Sequence, residues 1–186
     1  MFKGLCSLIV FFLATSSVQT GFWRFAQDGD QISITSFQQK VVDQDVVSFE
    51  GNVEVFIGNR MHITADLVRF QKKKRILYAT KYGDGSVKIE DKDFIILTDS
   101  LSLDFVKKVG SADNVRIHVE EVFVSAKKAE RLGSFEWQLS EMMFTACDAR
   151  LPHWSLKAKK AMLQGGYLVR VSDVVFKVGQ LPVFYI

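Results

Sequence analysis

The side chains in this 186-residue chain with catalytic or metal-binding potential are three histidines (His62, His118, His153), two recurring aspartates (Asp66, Asp99) and two cysteines (Cys6, Cys147). Their spacing is the first test of what they do. The histidines stand far apart with no ligand spacing around them, whereas a structural or catalytic zinc needs ligands a few residues apart in at least one pair. No metal centre and no cofactor is expected. Asp66 and Asp99 sit at matched positions of a repeat. A catalytic carboxylate pair would suit glycoside hydrolysis, but recurrence in a repeat is explained more simply by a turn or an edge requirement. Gly83-Asp84-Gly85 is a turn, and neither a phosphate-binding glycine loop nor a nucleophile elbow is present. The basic clusters Lys72-Lys73-Lys74-Arg75, Lys127-Lys128 and Lys157/Lys159/Lys160 lack the interleaved aromatics of a single-strand nucleic-acid platform. The residues therefore argue against an enzyme and give no nucleic-acid partner.

The elements that position these residues are β-strands. Between Val47 and Ile57 every odd position is apolar or Gly (Val47, Phe49, Gly51, Val53, Val55, Ile57), and Ser48, Glu50, Asn52 and Glu54 between them are polar. A period of two marks a half-buried strand. Gly58-Asn59 tolerate the positive φ of a tight turn, and alternation resumes through Met61, Ile63, Ala65 and Leu67. The stretch Asp45 to Phe70 is thus one hairpin with one apolar face. It recurs: Gly51-Asn52-Val53 returns as Gly85-Ser86-Val87 and Asp113-Asn114-Val115, and Ala65-Asp66 returns as Thr98-Asp99, Ala126-Lys127 and Ala158-Lys159. Two markers returning together at intervals of about 30 residues indicate a repeated two-strand unit.

Along the chain, Gly21 to Gly29 reads as an irregular lead-in and Ile32-Ser33-Ile34 as the first strand, whose edge offers backbone groups to another chain. The alternation slips at Val68, as at a bulge or corner. Lys72 to Arg75 is a turn, Ile76 to Thr80 a short strand and Asp91-Lys92-Asp93 a turn before a longer strand, Phe94 to Phe105. In that strand Ile95, Leu97, Leu101 and Leu103 form one face, although Phe94 and Ile96 make its start apolar on both sides. Val115, Ile117 and Val119 alternate with charged residues, followed by Val122/Val124, Phe135/Trp137/Leu139, Trp154/Leu156/Ala158 and Tyr167/Val169/Val171. Ala126 to Leu132 is the best helix candidate and reads better as a strand carrying the repeat marker. The prediction is all-β, ten or eleven strands in consecutive hairpins, forming a β-jellyroll or flattened two-sheet solenoid open at both ends.

Composition agrees: 48% hydrophobic and 12% aromatic residues supply a sizeable core, and two prolines with twelve glycines argue against disorder. Residues 1–20, with Lys3, the apolar run Leu5 to Ala14 and small Thr15, Ser16 and Ser17, read as a cleaved secretory signal; 21–30 are the lead-in and 31–186 the domain. Cys6 leaves with the signal, and Cys147 remains as one cysteine in a compartment where disulfides form. It either finds a partner outside this chain or is buried and inert. Without Lys3 the charges nearly balance, and net charge favours no polyanion.

Certain stretches resemble a known family. Gln31-Ile32-Ser33-Ile34, EGNVEV at Glu50 to Val55, ITADLVRF at Ile63 to Phe70 and FTAC at Phe144 to Cys147 resemble the periplasmic OstA-like domain of lipopolysaccharide transport. Phe144 to Lys157, with its Cys-x(5)-His-Trp spacing, followed by LPVFYI at Leu181 to Ile186, resembles the N-terminal part of the outer-membrane LPS-assembly (organic solvent tolerance) protein family. The resemblance implies a jellyroll that receives lipid A acyl chains from a periplasmic bridge protein, docked by edge-strand pairing, and passes them toward the outer membrane. It implies that Ile32 and Ile34 line the groove. Alternation extends the lining to Val53, Val55, Ile63, Ala65, Val87, Ile89, Ile95, Leu97, Val115 and Ile117, while mouth lysines meet the lipid phosphates. Cys147 matches the family cysteine that is disulfide-bonded to the barrel region. The family pattern continues into a membrane β-barrel and carries a further cysteine near the mature N-terminus. The resemblance therefore implies either a fragment of a longer product, on the periplasmic side of the outer membrane, or a stand-alone periplasmic domain; an outer-membrane lipoprotein partner is implied only with a barrel. The competing expectations are a docking module with a filled core, a bridge-type LPS-binding protein, and a carbohydrate-acting sandwich enzyme.

Overall fold

The computed structural model describes residues 21–27, 30–58, 61–90, 95–119, 121–133, 136–149, 151–164 and 168–186. The expected signal, with Lys3 and Cys6, lies outside the described residues, as do Asn59, the Asp91-Lys92-Asp93 turn with Phe94, and Phe135 and Tyr167.

The chain is all-β. Its strands are β1 (Gly21–Gln27), β2 (Asp30–Ser36), β3 (Gln38–Val41), β4 (Val46–Ile57), β5 (Met61–Gln71), β6 (Ile76–Thr80), β7 (Val87–Glu90), β8 (Ile95–Thr98), β9 (Ser100–Asp104), β10 (Val109–Val119), β11 (Val122–Gly133), β12 (Glu136–Thr145), β13 (Trp154–Gln164), β14 (Leu168–Val178) and β15 (Leu181–Tyr185). All pair antiparallel in one sheet, each long strand beside the next in sequence. The expected hairpin is β4–β5, with Val55 opposite Ile63 and Val53 opposite Ala65. Among the described residues there are fifteen strands, more than the ten or eleven read from the sequence, because bends at Phe37 and Asp99 divide two of them and β1 and β15 are not among those read.

Those bends belong to a line of corners that folds the sheet lengthwise into two facing halves, a flattened jellyroll. One half runs β1, β2, end of β4, start of β5, β7, β8, end of β10 and onward. The other runs β3, start of β4, end of β5, β6, β9, start of β10 and onward. Long strands cross from one half to the other at residues of positive φ: Gly51 and Asn52 in β4, Asn114 in β10, Glu141 in β12 and Asp173 in β14. Gly51, at φ 76°, and Asn tolerate this region better than other residues. The sequence markers of the repeat are therefore the corners. Ser36 and Thr98, buried just before the bends, each donate a hydroxyl hydrogen bond to a carbonyl two residues on, at 2.9 Å.

Two corrections follow at the N-terminal end. Gly21 to Gln27 is not an irregular lead-in: β1 pairs along its whole length with β2, Trp23 opposite Ile34. Consequently Ile32 and Ile34 do not lie on an open edge, because β2 has β1 on one side and β4 on the other. Among the described residues the open outer edges are those of β1, β3 and β15. Trp23 also closes this end of the core, its ring 6.5 Å from Phe49 and 6.2 Å from Phe70 across the two halves.

Candidate functional site

The polar residues singled out by type are engaged in structural contacts. Asp66 accepts a hydrogen bond from the backbone N–H of Tyr82 at 2.8 Å, and a Cβ on Gly85 would fall 2.9 Å from its carboxylate. Asp99 pairs with Lys81 at 2.9 Å and accepts from Asn114 Nδ2 at 2.7 Å. The Lys81 bond first, then that of Asn114, holds its carboxyl below the ordinary value. Both aspartates occupy corners. His62 and His118 lie on the outer surface, stacked on Phe56 and Phe123 at 4.4 and 4.5 Å.

Cys147 and His153 come together in the turn between β12 and β13, Sγ 3.3 Å from Nδ1. The backbone N–H of His153, then that of Ala149, stabilises the thiolate, with the His153 ring adding to the effect, and the thiol pKa is lowered. Cys147 is half-buried, in contact with His153 and not enclosed in the core. The Cys-x(5)-His spacing carried this signal.

The main feature is the interior. Register places Trp23, Ile34, Val55, Ile63, Ile89, Ile96, Ile117, Val124, Phe144, Leu156, Phe176 and Phe184 opposite one another on successive strands, one after the next. Directly opposed residues share a face, so these side chains form one apolar ladder across the inner surface. Eleven steps at roughly 4.8 Å per strand extend it to about 50 Å. The facing half carries a second ladder, Phe49, Val68, Ala79, Leu101, Ala112, Ala129, Leu139 and Ala161.

Of the residues expected to line a groove, Ile34, Val55, Ile63, Ile89 and Ile117 are on the first ladder. Ile32, Val53, Ala65, Val87 and Val115 face the same way, buried in the same cluster. Ile95 and Leu97 do not. Ile95 pairs with Glu90 and His118 on the outer face and is 38% exposed, and Leu97 lines a shallow outer pocket with Lys88 and Arg116. Ile96 takes the inward position instead. The bend at Asp99 resets the phase, so Leu101 and Leu103 face inward with Ile96 and not with Ile95. The sequence was ambiguous there because four consecutive apolar residues hide the alternation. The expected mouth lysines also face outward: Lys127 pairs with Glu141 at 3.0 Å and Lys128 with Glu130, and Lys157, Lys159 and Lys160 are exposed. Lys72 approaches an inner side chain, Nζ 5.7 Å over Trp23.

The residues of the first ladder missing from the expected lining are Trp23, Ile96, Val124, Phe144, Leu156, Phe176 and Phe184. Alternation in β13 gave the signal for Leu156, but nothing local marks Trp23 once its segment is read as irregular.

No protein-family model matches the chain. Over 131 residues it is 30% identical to the LPS-assembly protein LptD of Nitrosococcus oceani, an alignment covering 66% of this chain and 17% of that protein. The chain spans about a sixth of the length of that curated relative, given the 17% coverage. Among solved structures it is similar to LptH, the LptA-homologous periplasmic component of the lipopolysaccharide transport device of Pseudomonas aeruginosa. The TM-score is 0.46 at 15% identity, over 53% of this chain and 73% of that one.

Proposed function

We propose that this OstA-like domain is a non-enzymatic, exported module of lipopolysaccharide transport that carries lipid A acyl chains along its inner ladder. The observation that carries the reading is the unbroken apolar row from Trp23 to Phe184. A core needs only enough contact to exclude water, whereas a row continued in register over twelve strands also offers hydrocarbon a path between the two ends. Each methylene moved from water onto it contributes about 0.8 kcal/mol. The sequence likeness to an LPS-assembly protein supports the same substrate class.

Closed packing at one end supports a docking role for part of the domain. Ile34, Val55 and Ile63 are fully buried against the facing half. Chains meet these residues only when the two halves part, whereas Phe144, Leu156 and Phe176 are half-exposed without any opening. The N-terminal end then serves as a firm base from which the free edge of β1, and not that of β2, pairs with a bridge protein. The placement is the periplasmic side of the outer membrane, and a lipoprotein partner belongs to the reading only where a barrel accompanies the domain.

A photo-crosslinking residue placed singly at Ile34, Leu156 and Phe176, and at the outward Arg116 and Phe123, tests this in cells. Capture of lipopolysaccharide at Leu156 and Phe176 is expected. Capture from Arg116 and Phe123 with none from the three inward positions would overturn the reading.

A further inference from the structure

Five rows of side chains face the interior, and in four of them every described member is apolar apart from the hydroxyl residues Ser36 and Thr98. The fifth, along the rim of the second half, reads Val47, Phe70, Leu77, Leu103, Gly110, Arg131, Trp137 and Leu163 in register. Arg131 is its one charged residue. Its direction is fixed by alternation from Ala129, which is 5% exposed in the core, and by its partner Trp137, two residues from the inward Leu139. Directly across β10 stands Gly110, which brings no side chain.

A guanidinium facing an apolar interior is costly unless its donors are used. Arg131 Nε donates to the carbonyl of Gly133 at 3.1 Å, and its guanidinium lies 5.8 Å from the Trp137 ring centroid. Among the described residues no carboxylate pairs with it. The nearest in sequence, Glu130, is on the other face, bound to Lys128 and accepting from Gln138 Nε2 at 3.4 Å. The two terminal nitrogens therefore keep their N–H groups for an outside acceptor, in the planar fork that matches phosphate with two parallel hydrogen bonds. Trp137, 37% exposed, and Leu163, also 37% exposed, flank it at the rim.

We propose that Arg131, held over Trp137, is the subsite for a phosphate group of an amphiphile whose hydrocarbon lies on the inner ladder beneath it. The proposal rests on the lipid-carrying reading above. It assigns the head-group role to an inward arginine and not to the outward lysines, and it places the head at the rim of the C-terminal part of the domain, where the hydrocarbon surface below is half-exposed.

The test is binding of detergent-dispersed bisphosphoryl lipid A, and of the same lipid with its phosphates removed, to the whole chain and to R131Q and R131K. Wild type is expected to prefer the phosphorylated lipid about tenfold or more, the scale of a charge-assisted hydrogen-bond pair. R131Q loses that preference while its affinity for the dephosphorylated lipid and its melting temperature stay unchanged, and R131K retains part of the preference. If R131Q keeps the full preference, or weakens both lipids equally, the subsite is wrong. Wild type binding both lipids alike would also remove the subsite and leave the carrier reading standing. Wild type binding neither would remove both.

Discussion

The two ends of the interior are built from the same corner-and-ladder plan but filled differently. From β2 to β10 the inner rows hold Ile32, Ile34, Phe49, Ile63 and Leu77, all at 0–1% exposure. From β11 to β14 the buried positions shrink to Ala126, Ala129, Ala158 and Ala161 with Met142 and Val174, and the larger side chains beside them, Phe144, Leu156 and Trp137, are partly exposed. Large residues on both halves close the gap by interdigitating. Alanine on both halves cannot fill the same separation, so the surface stays accessible. The difference teaches that one repeat can serve as a packed base at one end and as an accessible apolar surface at the other, without any change in strand pairing.

The largest effect should come from emptying the packed end. Phe49→Ala should destabilise the domain by about 3–5 kcal/mol, the range for a buried Phe truncation, measured by urea unfolding. Phe176→Ala at the accessible end should cost less than about 2 kcal/mol. Equal losses would break the comparison. Next, Ala79→Leu, at a fully buried site, should cost about 1–3 kcal/mol through overpacking, whereas Ala161→Leu should be milder and should lower lipid capture at Leu156. A corner variant probes what both ends share: Asn114→Ala should cost about 1–2 kcal/mol because alanine resists the left-handed backbone, and Asn114→Gly should recover the conformational part.

The smallest effects are protonic. Cys147 titrates below an ordinary thiol, so its alkylation rate should rise with pH through a lowered midpoint, and His153→Ala should move that midpoint up toward the ordinary value. An unchanged midpoint would detach the His153 ring, though not its backbone N–H, from the thiol. The lowered pKa of Asp99 means that its corner contacts favour the folded state above the ordinary carboxylate value of 3.8. That contribution is lost as pH falls through the lowered value, and Asp99→Asn should flatten this part of the acid unfolding profile.

Much of this was legible along the chain. Hairpin β4–β5, the short strand β6 and the turn at Lys72–Arg75 follow from alternation and turn residues, and the recurring Asn-Val and Ala-Asp markers, which indicate a repeated two-strand unit, fall at the corners. Ten of the twelve residues expected to line a groove face inward. The failures share a cause. Ile95 and Leu97 were placed inside because Phe94 to Leu97 is apolar throughout, and the bend that resets the count lies beyond them at Asp99. Gly21 to Gln27 carries too few aliphatic residues to show a period, and it becomes a strand by pairing with β2.

By itself the sequence determined that the chain alternates in consecutive hairpins, that each has one apolar side, and where the backbone must turn. Only the tertiary structure decided which side of each segment meets the facing half: Ile96 and not Ile95, and Arg131 turned inward while Lys128 is turned out. The physical reason is that a strand's period is local, but its sign is set by the other layer, and one residue of positive φ at a corner is enough to reverse it.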